Sequence, residues 1–160
     1  MRSLMTIVIT LTVGAASAHA QMLSYPISIP STAGTYIDNR STCPYAEYIY
    51  FNDFNMYTDG RSVAYQVTNP ASSPPAQLRP WSLHVVPHAS GYAPGLLVAV
   101  CKQRYGTTLS QCTDAFSGSS GGLAGVNVPA QIGTFYIVVT HFDFEVPGAC
   151  VDYTLTGIHH

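Results

Sequence analysis

The sequence predicts an all-β fold. Three observations carry this. Strand-like stretches recur along the whole chain, with no apolar window of period 3.6 long enough for a helix. Segments rich in Gly, Pro, Ser and Asn separate them. The last quarter then holds two strong strands, residues 132–139 (buried) and 151–157 (half-buried). Short strands divided by such turns make a sandwich or a barrel, here of about eight strands.

The elements follow in order. Arg2, an apolar run over residues 4–13 and small residues 15–20 form a secretory signal peptide. The run is too short to span a bilayer. Ala18-His19-Ala20 favours cleavage before Gln21, and Ala16-Ser17-Ala18 also allows a cut before His19. Residues 21–160 are then expected to form a single domain exported to the periplasm or medium. Residues 25–30, with Pro26 and Pro30, suit an edge strand, because proline cannot donate to a ladder. Residues 46–51 are rich in Tyr and Ile. Residues 62–67 alternate, placing Val63, Tyr65 and Val67 on one face. Asp59-Gly60 before them is a hairpin signal. Residues 81–86 alternate likewise, with Trp81, Leu83 and Val85 inward. Residues 95–101 are continuously apolar, as in a central strand, and residues 123–128 form a weaker strand.

Composition narrows the function classes. Hydrophobic residues make up 47% and charged residues 9% of the chain, which excludes a disordered protein. Few and scattered Lys/Arg residues form no phosphate-binding stripe, so nucleic acid is not an expected partner. Cys43, Cys101, Cys112 and Cys150 in an exported chain predict two disulfides. Of the three pairings, Cys101–Cys112 and Cys43–Cys150 are expected, the first closing a short strand-connecting loop and the second tying the domain's start to its last strand. Without a C-x-x-C spacing, neither zinc nor thiol-redox chemistry is expected.

Residues 62–67, 96–101, Cys112-Thr113-Asp114, 133–139 and 152–156 together resemble the bacterial pre-peptidase C-terminal domain, a β-sandwich module appended to secreted hydrolases. The resemblance runs over residues 32–157. It implies a jelly-roll-like antiparallel sandwich and an accessory or binding role, with no catalytic residues to carry over. It also supports the Cys101–Cys112 bridge. Asp114 is followed by Ala115, where family members often carry consecutive acidic residues.

Candidate chemistry is sparse. Gly118-Ser119-Ser120-Gly121-Gly122 matches G-x-S-x-G, but no helix-forming segment follows it, so it reads as a Ser/Gly loop. His84 and His88 lie four apart, which on a strand holds them about 13 Å from each other, and His141 is expected at a strand exit. A small copper enzyme would need His19 at a free N-terminus, paired with His84 or His141. Asp38, Asn39, Asp53, Asn55 and Asp59 fall in what read as two loops and form a candidate calcium set, the resembled family holding calcium near its N-terminal segment. No cofactor is otherwise required. Tyr45, Tyr48, Tyr57, Tyr92 and Tyr105 are candidate binding aromatics, since tyrosine offers an apolar face and a hydroxyl to a polysaccharide or protein surface. Asn39-Arg40-Ser41 is a glycosylation sequon in a eukaryotic host. A secreted, non-catalytic binding module is therefore expected. The alternative is a self-assembling envelope protein, which low charge and tyrosine-rich strands would favour.

Overall fold

The computed structural model describes residues 23, 25–30, 34–43, 48–58, 62–71, 80–88, 95–117, 124–142 and 150–160. The signal segment, the Ser/Gly loop, and Tyr45, Asp59 and Tyr92 lie outside these residues. The described residues form eleven strands and no α-helix: β1 (Ile27–Ile29), β2 (Gly34–Ser41), β3 (Tyr50–Phe51), β4 (Met56–Tyr57), β5 (Ser62–Asn69), β6 (Trp81–Pro87), β7 (Gly95–Tyr105), β8 (Thr108–Ser117), β9 (Ala124–Val128), β10 (Gly133–Phe142) and β11 (Asp152–His159). One 3₁₀ turn, Asn52–Phe54, joins β3 to β4.

Two sheets stack face to face. The larger runs β1-β5-β10-β7-β8-β3-β4 and the smaller β2-β11-β6-β9. Pairing is antiparallel except at β1–β5 and β3–β8, which are parallel. The strand total exceeds the sequence expectation by three, β2, β4 and β8. β4 is only two residues long. β2 carries Asp38 and Asn39, residues that read as turn formers, and β8 returns directly from β7 across the two-residue Gly106-Thr107 turn. β4 and β5, which flank the Asp59-Gly60 signal, are not neighbours in the sheet. Pro87, expected to break a regular element, is the last residue of β6 and pairs with Tyr153, a strand-end position where its missing N–H is tolerated.

The core between the sheets contains Val63, Tyr65 and Val67 of β5, Trp81, Leu83 and Val85 of β6, Val98 and Val100 of β7, and Ile137 and Val139 of β10. A second apolar cluster covers the opposite face of the larger sheet: Ala64, Leu97, Ala99 and Val138 pack beneath Leu23, Ile49 and Phe51. That sheet is thus buried on both faces, which is why β7 reads as a continuous apolar run. His141, expected at a strand exit, lies within β10 and is buried on the side of Ile137 and Val139. Gly157 on β11 lets Trp81 lie close against the strand; a Cβ there would meet the indole and Leu83 at 3.2 Å.

Both disulfides form as expected, Cys43–Cys150 and Cys101–Cys112. Each staples neighbouring antiparallel strands rather than linking the sheets. Cys101 faces Cys112 within the β7–β8 ladder, so this bridge closes a paired hairpin rather than an irregular loop. Cys43 and Cys150 continue the β2–β11 register one step beyond Thr42 and Val151, which exchange hydrogen bonds of 2.9 and 3.0 Å.

Candidate functional site

Three polar features stand out of this frame: a buried hydrogen-bond chain, a flat histidine-bearing face, and an open cleft at a hairpin tip. The chain links the two sheets. Tyr65 of β5 donates its hydroxyl to Asp38 Oδ2 at 3.0 Å and lies 2.8 Å from the Tyr153 hydroxyl of β11. A carboxylate only accepts, so the proton order is Tyr153 to Tyr65 to Asp38. Arg40 Nε also donates to Asp38. Burial, then the neighbouring Tyr153 and Asp38, push the Tyr65 phenol far above its ordinary range. Burial and Asp38 also raise Tyr36, with Arg40 opposing.

A raised phenol pKa means that the folded state holds its proton where the unfolded chain releases it. Stability from Tyr65 is therefore complete below about pH 10 and falls as pH rises above that value. Melting temperatures measured between pH 8 and 11.5 are expected to decline at the alkaline end, and Tyr65→Phe is expected to flatten that decline. An unchanged slope in the variant would show that other groups govern it.

The outer face of the smaller sheet carries few charges. His88 Nε2 lies 2.6 Å from Thr154 Oγ1, which donates to Asn39 Oδ1 at 2.6 Å. His84 and His88 share this face, the His84 Nδ1 being buried without a hydrogen-bond partner among the described residues, and no group of three metal-binding side chains occurs among them. The calcium candidates are divided. Asp38 and Asn39 lie on β2, not in a loop, and are already committed to the bonds just given. Asp53 and Asn55 lie in the β3–β4 connection, where Asp53 Oδ2 accepts the Cys112 N–H at 2.9 Å and Asn55 Oδ1 accepts the Tyr50 hydroxyl at 2.8 Å. β5, which Asp38 touches, and β8, which Asp53 touches, are three strand steps apart, about 14 Å. The structure does not bring the two pairs together.

The cleft is built by the β7–β8 hairpin. Its two-residue loop, Gly106-Thr107, has Gly106 at φ +59°, a conformation that fits a type II′ turn with glycine first. Lys102, Gln103, Arg104, Tyr105, Thr108, Ser110, Thr134 and Tyr136 line an open cleft of about 440 Å³. Strict alternation from Cys101 would turn Arg104 away from the face that Cys101 shares. The alternation instead shifts by one residue. Cys101 and Cys112 lie on the face covered by the second cluster, and so does Leu109, three residues before Cys112 and paired with Arg104. Gln111, at φ +54°, supplies the irregularity. The Arg104 guanidinium consequently sits over the Tyr136 ring, 5.6 Å from its centroid, and its Nε donates to the Gly106 carbonyl at 3.0 Å.

Tyr105 and Thr108, at the cleft's rim, also belong to an aromatic row that projects from the sheet face opposite Arg104 and Leu109. Across β4, β3, β8 and β7, Tyr57 pairs with Tyr50, Tyr50 with Thr108, and Thr108 with Tyr105. Directly opposed residues project to the same side, so these four form one row spanning three strand steps, about 14 Å. The Tyr50 and Tyr57 ring centroids are 4.6 Å apart. Tyr57 and Tyr105 are 67% and 88% exposed, values unusual for rings held in regular strands. Tyr105, expected in a loop, is the last residue of β7. Tyr48 is exposed just before β3, outside the row. Sequence reading missed Arg104, Thr108 and Tyr136; the Gly106-Thr107 turn signal was available, but the one-residue shift was not.

No protein-family model and no curated protein matches the chain. Solved structures do. One is the pre-peptidase C-terminal domain of a Bacillus anthracis collagenase, 13% identical with a TM-score of 0.41, the match covering 82% of this chain and 93% of that one. Another is Aeromonas hydrophila PliG, a periplasmic lysozyme inhibitor of g-type lysozyme, 10% identical with a TM-score of 0.45, covering 84% and 96%.

Proposed function

We propose that this chain is a secreted, non-catalytic binding module that holds polysaccharide at the β7–β8 tip. The carrying observation is the row of exposed tyrosines, whose members Tyr105 and Thr108 also line an open polar cleft. Exposed phenol faces suit the apolar faces of sugar rings, and flanking hydroxyl and amide groups suit their hydroxyls. A row about 14 Å wide engages more than one ring of an extended polymer. Export is supported by the leader-like N-terminus and by two formed disulfides. No helix among the described residues is long and apolar enough to cross a membrane.

The test is titration of the mature protein with soluble neutral and acidic polysaccharides. Tyr57→Ala and Tyr105→Ala are each expected to weaken binding about three- to tenfold with an unchanged melting temperature. Absence of binding to every polymer would defeat the proposal. A second reading, self-assembly, is favoured by the outer edge of β2, eight residues long and unpaired among the described residues. A monomer in sedimentation at high concentration would remove it.

A further inference from the structure

We infer that the cleft selects a carboxylate, so that the polysaccharide is an acidic, uronate-bearing one. This rests on the binding reading above and adds the ligand's charge. The chain carries a net charge of −2, yet the residues lining the cleft include Lys102 and Arg104 and no carboxylate. Arg104 is held from two sides. Its Cζ lies 5.6 Å from the Tyr136 ring centroid, and its Nε donates to the Gly106 carbonyl at 3.0 Å. Neither contact neutralises it. Its terminal nitrogens have no partner among the described residues and remain as a fork of donors that matches a carboxylate. Lys102 is tethered through Nζ to the uncharged side-chain oxygen of Gln131 at 3.0 Å, so its charge is also uncompensated.

The neighbouring groups suit a sugar around that carboxylate. Gln103 accepts from the Ser110 hydroxyl at 3.4 Å, which leaves its amide N–H₂ to donate. Thr134 shares a 3.0 Å bond with Thr68 and retains hydroxyl capacity toward the cleft. Two cations are too few to follow a nucleic-acid backbone, while they suffice for one carboxylate per site. A guanidinium already ordered by its own protein loses little side-chain entropy on binding.

The experiment compares three soluble polymers by calorimetry: polygalacturonate, the same polymer with its carboxyls reduced to alcohols, and poly-glutamate. Polygalacturonate is expected to bind at least about tenfold more tightly than its reduced form, with the difference shrinking as salt rises. Arg104→Gln should remove most of that difference, and Arg104→Lys, which keeps the charge but not the fork, should remove part of it. Both variants should melt as the parent does, since the residue packs only on the surface of the hairpin. If the reduced polymer binds equally well and Arg104→Gln changes nothing, the carboxylate inference falls while the polysaccharide reading stands. If Arg104→Gln weakens both sugar polymers alike, the inference falls too. If neither sugar polymer binds, both ideas fall. Equal or tighter binding of poly-glutamate would replace the sugar by an acidic peptide.

Discussion

Replacing Cys43 and Cys150 with serine is expected to lower the melting temperature by roughly 10–20 °C, the largest effect of any substitution considered. The bridge closes a sequence separation of 107 residues. Chain-entropy arithmetic for such a loop gives about 4–5 kcal/mol, and a domain of this size loses a few degrees per kcal/mol. The Cys101–Cys112 bridge spans only 11 residues and is worth about 3 kcal/mol by the same arithmetic. The two bridges also differ in what else holds their strands. β7 and β8 are clamped by a long ladder and by packing on both faces. β2 is an edge strand, joined among the described residues only to β11. Loss of the first bridge should therefore raise amide exchange across β2 well before the rest of the smaller sheet responds. Equal losses from the two double variants, or a fall below about 3 °C for the first, would show that β2 is anchored by other means.

Asp38→Ala carries the second large effect, about 2–3 kcal/mol. The Tyr65 hydroxyl is inaccessible to water, and the substitution removes its acceptor. The Tyr153 hydroxyl remains beside it, but it donates to Tyr65 in the parent chain and would have to reverse that bond to accept the Tyr65 proton. Arg40 simultaneously loses its carboxylate on a half-buried strand face. Tyr65→Phe alone should cost less, about 1 kcal/mol, because it removes donor and demand together. The double variant Asp38→Ala/Tyr65→Phe should then be more stable than Asp38→Ala. Additive losses in that cycle, measured by urea unfolding, would mean the two groups are not coupled.

These two predictions meet at β2, a strand that sequence reading passed over. Asp38-Asn39-Arg40 has the composition of a turn, and only pairing with β11 makes it a strand. The calcium reading depended on that turn. In the fold, the carboxylate of Asp38 faces a tyrosine from the opposite sheet, and Asp53 caps an N–H of β8 at a distant edge. Short-range composition could not separate these outcomes, because aspartate bonds equally well to metal, to backbone and to phenol. The tyrosines show the converse. Tyr57 and Tyr105 were legible as candidates from exposure-tolerant chemistry alone, yet their alignment with Tyr50 depends on the parallel β3–β8 pair, which joins segments some fifty-eight residues apart.

The sequence by itself determined the fold class, the number of disulfides and the inward faces of β5 and β6, because period-two alternation and an even set of cysteines are local or simply countable facts. Tertiary structure alone decided the strand order, the covered second face of the larger sheet and the seat of Arg104 over Tyr136. Each of those arises where distant segments meet in register. The seat of Arg104 depends on a break in the β7–β8 pairing at Lys102 and Gln111, the latter left-handed at φ +54°.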